Sequence, residues 1–569
     1  MRFSAWGTQA MNRLHARRAA YAQPATGFVY QPEPRSIGLF ARGKQLIAGN
    51  FLFGGQLIEA PGLRLWDLTM PGADFTAEVQ GFGWLDDLAA VGDGAARTRA
   101  QDWTWDWIAR YGKGRGPGWT PDLTGRRLIR WINHALLLLS GKGREPSLAF
   151  YHSLSHQTLF LSRRWQAASP GLPRIEALTG LIYAGLALTG MEAHVGPAAA
   201  ALARDCDAEV DAEGGIPTRN PEELLEVFTL LTWAAQALTE AGQQVLPAHL
   251  AAMARIAPTL RALRHADGGL ARFHGGGRGM EGRLDQALAN APGRTMRQDG
   301  LAMGFARLAG GRSTVIVDAA PPPGGRAGAQ AHASTLAFEL TSGRRPLVVS
   351  CGAGAPFGAD WQRASRATAS HSTLAVEGYS SSRLGAWKAE ALADRAGVVI
   401  LRHEAGPEGS LLEAEQDGWV ATHGLWHRRE LALDPAGRRL VGADALFADT
   451  PAEQKRFDLA AKLKGVGYAL RFHLHPDADA VLDMGGAAVS MALKSGEIWV
   501  FRHDGQAKLT LEPSVYLQKG RLKPRATKQI VLAGSLQDFQ VRIGWTLAKA
   551  QDTPLAIRDL DRDDTSSRP

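Results

Sequence analysis

Cysteine is almost missing from this chain of 569 residues, which contains only Cys206 and Cys351, far apart in sequence. So few thiols supply neither a disulfide framework nor the four ligands of a zinc ribbon, and both kinds of scaffold are excluded. Long apolar runs are missing as well, since the most apolar stretch, Ala135 to Leu139, is far too short to span a bilayer. We therefore predict a globular protein with no membrane span.

Targeting and nucleic-acid signals are also missing. The amino terminus, MRFSAWGTQAMNRLHARRAAYAQ, is basic but has no apolar core of a signal peptide, which predicts a cytoplasmic protein. No finger, basic zipper or RNA-stacking signature is present, so we predict no nucleic-acid partner. The formal charge of +8, from 64 basic and 56 acidic residues, favours a polyanionic partner, such as a uronate-containing glycan.

Two regions of different periodicity follow each other along the chain. Between Trp103 and Leu308 the apolar residues recur at three- and four-residue spacing, which indicates amphipathic or buried helices. Short glycine and proline breaks separate these helices, so neighbours should run antiparallel, as a toroid or as a solenoid. After about Gly310 the spacing becomes two, and many short segments predict a large antiparallel β-sandwich. The predicted strands include 313–319, 334–340, 345–350, 372–378, 397–404, 425–433, 468–476 and 497–505.

The start of the predicted sandwich resembles the heparinase II/III-like polysaccharide lyases, which join a helical toroid to a β-sandwich. The segments QAHASTLAFELTSGRRPLVVSCGAG (330–354) and WQRASRATASHSTLAVEG (361–378) match that family's opening run in order, spacing and strand context. The resemblance implies an α+β multidomain fold, with an incomplete (α/α) toroid followed by a large antiparallel β-sandwich. It also implies a periplasmic location as the alternative to the cytoplasm. The expected domains are 1–309 (with 1–100 irregular), 310–552, and a flexible tail at 553–569.

The activity implied by the resemblance is β-elimination on a uronate-containing anionic polysaccharide or oligosaccharide. Such a lyase neutralises the carboxylate, removes the proton beside it and protonates the leaving oxygen. On this interpretation His371 is the candidate base, His332 contacts the carboxylate or the leaving group, and Gln330 is an oriented amide. Gln330 stands where the family has its usual catalytic histidine, so the match to the activity is weaker than the match to the fold.

Some members of the family hold zinc in the sandwich, and this chain keeps His332 and His371 of the three ligands that a catalytic site needs. Ser334 and Ser350 replace acidic residues of the family pattern. Cys351 is the next residue on a strand, so its side chain should point to the opposite face from position 350. We expect two histidines hydrogen-bonded in a polar cleft and no cofactor, with zinc as the alternative.

The predicted substrate contacts of the toroid lie in the segment 213–228, where the family's catalytic tyrosine is missing. Arg219 is expected to contact an anionic substrate. Asn220 is either a substrate-binding residue or the N-cap of a helix, with Pro221 at the first helical position and Glu223 completing a capping box.

Five further side chains each have a functional and a structural interpretation. His274 and Arg278, in the glycine-rich HGGGRGMEGR, either line the cleft or belong to a plain connector; the run follows a predicted helix, which argues against a nucleotide-binding loop. Tyr379 is either a proton donor or base, or a surface aromatic residue. Trp361 and Trp387 either stack on sugar rings or pack in the core.

The alternative function is a non-catalytic glycan-binding or assembly protein that kept the lyase fold but lost key catalytic residues. A third interpretation is a hydrolase with Glu339 and Glu377 as its two carboxylates. His473 and His475 alternate on a strand and form a weak candidate metal pair. The identity of the glycan and the oligomeric state stay open.

Overall fold

The computed structural model describes residues 2–22, 24–290, 300–385, 391–462 and 464–553. The first half of the chain is helical, with one short hairpin of β1 (Asn50–Phe53) and β2 (Gln56–Glu59). The helices of this half are α1 (Arg2–Ala19), α2 (Phe40–Ile47), α3 (Ala73–Gln80), α4 (Gly83–Val91), α5 (Gly94–Tyr111), α6 (Pro121–Asn133), α7 (Ala135–Leu139), α8 (Arg144–Arg164), α9 (Leu172–Ala187), α10 (Val195–Glu209), α11 (Pro221–Glu240), α12 (Pro247–Ala262) and α13 (Arg283–Ala289).

The centre of the helical region is formed by α6, α9 and α11, which pack side by side. Every side chain of α9 from Ile175 to Ala187 is buried, as expected for a helix that is apolar on all sides. Helices α6 and α9 approach closely through Gly125 and Gly180. A Cβ atom at Gly125 would clash with the backbone of Glu176, so the close packing of this pair requires glycine.

The expectation of irregular structure at 1–100 is wrong, because α1 to α4, the start of α5 and the β1–β2 hairpin lie there. Helices α2, α3 and α4 have only 8 or 9 residues, and they are held by an aromatic core that their own periodicity does not reveal. Phe82, in the left-handed region at φ 60°, begins α4 and places its ring against Trp66, Trp84, Trp107 and Trp131. Burial of such large rings stabilises the short helices more than their intrinsic propensity does.

The second half of the chain consists mainly of strands. They are β3 (Phe305–Gly310), β4 (Ser313–Asp318), β5 (Phe338–Ser342), β6 (Arg345–Val349), β7 (Leu374–Val376), β8 (Val398–Gly406), β9 (Gly409–Trp419), β10 (Leu425–Leu433), β11 (Arg439–Phe447), β12 (Val466–Leu474), β13 (Ala478–Asp483), β14 (Ala488–Leu493), β15 (Ile498–His503), β16 (Lys508–Tyr516), β17 (Arg525–Leu536) and β18 (Gln540–Gln551). Three helices interrupt them, α14 (Ala359–Ser365), α15 (Val420–His423) and α16 (Pro451–Ala461).

These strands form two antiparallel sheets. One has 8 strands in the order β13-β14-β15-β18-β11-β10-β9-β8. The other runs β16-β17-β12-β6-β5-β4-β3, and β7 pairs with β12 beside β6. The burial of β10 alternates strictly, and its buried residues pack with those of the second sheet in one apolar core. The predicted toroid followed by an antiparallel β-sandwich is therefore confirmed.

The sandwich begins slightly earlier than the change of period at Gly310 indicates, because β3 starts at Phe305. The predicted strand 334–340 is also shorter than expected. Residues 334–337 form a turn, with Leu336 at φ 58°, and β5 starts only at Phe338. Phe305 belongs to the same buried apolar cluster as the toroid helices, so the two regions pack directly on each other. Over the described residues, none of the helices combines the length and the apolar character needed to cross a membrane.

Candidate functional site

A group of buried polar side chains lies where the toroid meets the sandwich. We call Arg219, His274, Asp318, His332 and His371 the junction cluster. The first two come from the toroid side of the chain, one before α11 and one in the glycine-rich loop after α12. Both have a positive φ, 49° and 48° respectively, a conformation that costs a non-glycine residue free energy and that the surrounding contacts must stabilise.

Asp318 is the centre of the junction cluster, at the end of β4, and it is completely buried. Its Oδ1 accepts a hydrogen bond from Nη2 of Arg219 at 2.6 Å, and its Oδ2 accepts one from Ser334 Oγ at 2.6 Å. Nε2 of His274 lies 3.4 Å from Oδ2. Burial alone would raise the pKa of Asp318, but Arg219 and His274 hold it at about 2. The carboxylate is therefore ionised and fully engaged at neutral pH.

Arg219 does not face a cleft as a free cation, contrary to the sequence expectation. Its Nε donates to Met303 O at 3.0 Å, Nη1 donates to the carbonyls of Ala320 and Pro321, and Nη2 donates to Gly304 O as well as to Asp318. The guanidinium also lies 4.6 Å from the ring centre of Phe305. Arg219 thus fastens the start of α11 to the first strands of the sandwich, and no nitrogen is left over for a substrate carboxylate.

The three histidines form a chain through the junction. The backbone N–H of His332 donates to His274 Nδ1 at 3.2 Å, so Nε2 of His274 carries the proton and faces Asp318. His332 Nδ1 and His371 Nε2 are 3.3 Å apart. Nδ1 of His371 is buried and has no hydrogen-bond partner among the described residues. The hydrogen-bonded histidine pair expected from the sequence is therefore present.

Both members of this pair are neutral at physiological pH. Burial, followed by the neighbouring His473, lowers the pKa of His371 to about 3. Burial, with His371 and His274 close by, holds the pKa of His332 well below its usual value. A base with so low a pKa has little driving force to take a proton at pH 7. The side chains are also inaccessible, with only 4% of His332 and 1% of His371 exposed.

Gln330 and Asn220 lie near the junction cluster but have other contacts. Gln330 is exposed, and its Oε1 accepts a hydrogen bond from Gln362 at 3.4 Å. Asn220 is the N-cap of α11, since its Oδ1 accepts from the backbone N–H groups of Glu222 and Glu223. The predicted capping box is not formed, since the cap of α11 consists of the Asn220 side-chain contacts alone. The structural interpretation of Asn220 is the one that the geometry supports.

The glycine-rich loop connects the toroid to the sandwich. The backbone N–H of Gly277 donates to Glu222 Oε2 at 2.8 Å, and the same carboxylate pairs with Lys519 from the sandwich. A side chain at Gly276 would clash with Asn220. Of the two loop residues singled out in the sequence, His274 is buried in the junction cluster, whereas Arg278 is exposed, 3.8 Å from Asp267.

The remaining aromatic candidates lie away from the histidines. Trp361 is half-buried on α14. Tyr379 is 45% exposed, and its ring meets His423 edge-on at 4.9 Å. Trp387 lies outside the described residues. The ring of Tyr379 meets His423 while those of His332 and His371 meet each other, so the structure brings together only the buried part of the predicted site.

The zinc alternative does not fit the positions of the candidate ligands. No group of three or more ligand-type side chains with suitable geometry occurs in the described ranges. Ser334, which replaces an acidic residue, donates to Asp318, and the buried Oγ of Ser350 has no partner there. The thiol of Cys351 lies 3.6 Å from His473 Nδ1, and burial raises its pKa to about 11. A thiolate ligand next to His332 and His371 is therefore not available.

The weak metal pair of His473, on β12, and His475, just after it, is not formed either. His473 Nε2 lies 3.0 Å from Ala369 O, and its Nδ1 lies 2.8 Å from Ser514 Oγ. His475 instead faces Tyr516, edge-on at 5.0 Å, and its Nδ1 accepts from the backbone of Asp477 at 3.3 Å. Both ring nitrogens of His473 are occupied, so the two histidines do not converge on one ion.

The two carboxylates of the hydrolase interpretation are separately engaged. Glu339 is completely buried between Arg272, at 3.0 Å, and His265, at 3.1 Å. Burial would raise the pKa of Glu339, but Arg272 and His265 lower it to about 2. Glu377 is exposed, and its Oε1 accepts from the backbone of Gly467 at 2.9 Å. A pair of one raised and one ordinary carboxyl group, as hydrolysis needs, is not formed by these residues.

Asp318 is the functional residue that the sequence did not single out. It ends a strand, STVIVDA, whose other residues are apolar or small, and a proline-rich segment follows it. An acidic residue at the end of such a buried strand needs a cationic partner, and this is the signal that could have paired it with Arg219.

Comparison with known proteins identifies the family to which this architecture belongs. The model of the family described as "Heparinase II/III-like, C-terminal" matches residues 292–546. FtsZ-localized protein C of Caulobacter vibrioides is 30% identical over 557 residues, which cover 94% of this chain and 92% of that protein. This chain belongs to the heparinase II/III-like family.

Solved structures agree with this assignment at the level of the fold. A heparinase III structure superimposes with a TM-score of 0.67 at 12% identity, covering 96% of this chain and 90% of that one. A mutant of the heparan sulfate lyase HepC from Pedobacter heparinus gives a TM-score of 0.59 at 13% identity, covering 96% and 89%. This chain therefore shares the helical toroid and the β-sandwich of these lyases.

Proposed function

We propose that this chain is a non-catalytic member of the heparinase II/III-like family and acts as a binding or assembly protein that associates with FtsZ. The single observation that carries the proposal is that the junction cluster has no accessible base and no free cation for a substrate. Where a lyase needs an accessible base and a free carboxylate-binding group, the histidines are buried and neutral, and all guanidinium nitrogens of Arg219 bond to protein acceptors.

The identity of the partner rests on the relative from Caulobacter vibrioides. Its name describes a protein localised with FtsZ, and its 30% identity extends over both the toroid and the sandwich. A shared role is more readily maintained when the whole architecture is shared than when one domain alone matches. The proposal requires no cofactor.

The proposal is tested by sedimentation with FtsZ. The purified chain would be mixed with FtsZ polymers from the same organism, assembled with GTP, and pelleted. We expect the chain in the pellet with polymers and in the supernatant with unpolymerised FtsZ or with FtsZ omitted. Recovery in the supernatant under all three conditions, with the chain folded by circular dichroism, would contradict the association.

β-elimination on a uronate-containing glycan is the second candidate, and one observation favours it. Nδ1 of His371 is buried without a partner among the described residues, which is costly and typical of groups held ready for a ligand or a reaction. The low pKa and the burial of His371 argue against proton abstraction by this side chain. Absorbance near 232 nm, where the unsaturated product absorbs, separates this candidate from the first.

A further inference from the structure

Two adjoining cavities lie on the sandwich, away from the junction cluster. The larger has a volume of about 480 Å³ and is lined by α14 and by residues 378–384. The smaller has a volume of about 230 Å³ and is lined mainly by β12 and by residues 375–378. They meet at Gly378, and none of the five residues of the junction cluster lines either of them. We call the two cavities together the sandwich cleft.

Arg471 lines the smaller cavity from β12, and its half-buried guanidinium has no hydrogen bond or ion pair within the described part of the chain. Burial lowers the pKa of Arg471. Glu512 contributes to its electrostatic surroundings but is not at ion-pair distance, and Thr510 donates to the Glu512 carboxylate at 2.8 Å. Glu377, which also lines this cavity, is bonded to the backbone of Gly467. Cations removed from water are normally paired, so Arg471 points to an anionic ligand.

Arg363 lines the larger cavity from α14 and is exposed, again with no partner in the described ranges. The other two cations of this cavity are engaged: Arg366 donates to the carbonyls of Ala331 and Gly328, and Arg383 pairs with Asp394. One acidic residue, Asp360, also lines the cavity and is exposed.

The lining favours a peptide over a sugar. Recognition of a glycan requires donors and acceptors for its hydroxyl groups, usually from amide side chains and free hydroxyls. No asparagine or glutamine is among the described lining residues. The hydroxyls of Ser380 and Ser382 already accept hydrogen bonds from the backbone of Thr368 and Ala396. What the cleft offers is a cation in each cavity and, in the larger cavity, the 45% exposed side chain of Tyr379.

We propose that the sandwich cleft binds an acidic peptide segment, with carboxylates paired to Arg363 and Arg471 and with the chain passing over Tyr379. An extended peptide suits two adjoining cavities with one cation in each, because its side chains can enter both at once. This proposal is independent of the association with FtsZ, and of any activity at the junction cluster.

The test uses the full chain and fluorescein-labelled octaglutamate, with binding measured by fluorescence anisotropy at low salt. Arg363→Gln should weaken binding about fivefold, as for an exposed charge pair, and Arg471→Gln about tenfold or more, as for a partly buried one. The matched control is Arg312→Gln, since Arg312 is exposed and unpaired in the described structure but lies on the β3–β4 turn outside the cleft. Its affinity should equal that of the unaltered chain.

Three results would overturn the proposal. The first is the absence of saturable binding. The second is an equal loss in Arg312→Gln and Arg363→Gln, which would mean attraction by net charge alone. The third is displacement of the labelled peptide by trigalacturonate at lower concentration than by unlabelled octaglutamate, which would assign the cleft to an acidic glycan. Because Arg363 is exposed, its variant decides the outcome even if Arg471→Gln fails to fold.

Discussion

The junction cluster and the sandwich cleft both contain arginine side chains, but these arginines differ in whether they are paired. In the junction cluster, Arg219 satisfies a buried carboxylate and four backbone carbonyls. In the sandwich cleft, Arg363 and Arg471 have no partner among the described residues. The cluster that resembles a lyase site uses its arginine within the protein, whereas the sandwich cleft has two arginines without a partner in the described part of the chain.

This difference shows why motif similarity alone is a poor guide to function here. A catalytic group must be accessible and must have bonding capacity left for the substrate. His332 and His371 keep the family's residue types at matching positions, but both side chains are buried and bonded to each other. The comparison therefore assigns stability to the junction cluster and binding to the cleft, and each assignment can be tested.

The largest effect on stability is expected from Arg219→Gln. Asp318 would remain buried without its main cationic partner, which costs about 3–5 kcal/mol of unfolding free energy. Chemical denaturation followed by tryptophan fluorescence measures the loss. Arg278→Gln is the control, because Arg278 is exposed and should change stability by less than about 0.5 kcal/mol. Equal free energies of unfolding of the two variants would show that the junction cluster does not stabilise the fold.

Acidification should destabilise the folded chain through the buried histidines. The pKa of His371 is about 3 in the fold, below its ordinary value of about 6.5, so the unfolded state binds more protons between these values. Stability from this group is complete above pH 6.5 and falls by roughly 2 kcal/mol as the pH drops from 7 to 5.

Thermal unfolding at a series of pH values measures this effect. His371→Gln should flatten the slope between pH 7 and 5. An unchanged slope in His371→Gln would mean that this histidine is accessible to water and available as a base.

A smaller loss is expected from Asn220→Ala. Its side chain caps α11 by accepting from two backbone N–H groups, and removal of such a cap costs about 1 kcal/mol. Asn290→Ala, at the exposed end of α13, is the control for asparagine removal. If Asn220→Ala were as stable as the unaltered chain, the capping role would be wrong and substrate binding would regain support.

The smallest effect is expected from Arg363→Gln, which should change the unfolding free energy by less than about 0.5 kcal/mol. Arg363 is exposed and has no partner in the described structure, so its removal leaves no buried charge behind. Differential scanning calorimetry would check this. A loss of unfolding free energy comparable to that of Arg219→Gln would mean that Arg363, like Arg219, stabilises the fold.

Much of the fold could be predicted from the sequence, because periodicity reports burial directly. Strand β10 has the bounds Leu425–Leu433 that its alternation indicates, and α9 and α11 follow their apolar spacing. Helices α2 to α4 were missed because each has only 8 or 9 residues and the core beside α4 contains tryptophans from distant positions, which no local pattern shows. The late start of β5, at Phe338, depends on Leu336 in the left-handed region, which is rare for leucine.

The candidate site was predictable only in part. The pairing of His332 and His371 was expected from the family resemblance, and the N-cap of Asn220 follows from the motif around it. The role of Arg219 was not predictable, because its partners at 303–304 and 318–321 are far away in the sequence. Whether a charged side chain is free or engaged depends on such distant contacts, and a sequence motif does not contain them.

Absorbance at 232 nm tests the central claim most directly. The purified chain would be incubated with heparan sulfate, chondroitin sulfate and oligogalacturonates, with a heparinase III as positive control. The account predicts a flat trace for this chain on all substrates while the control rises. A rise that is abolished in His371→Ala, with the variant still folded, would establish a lyase at the junction cluster and contradict the claim that this cluster is closed and non-catalytic.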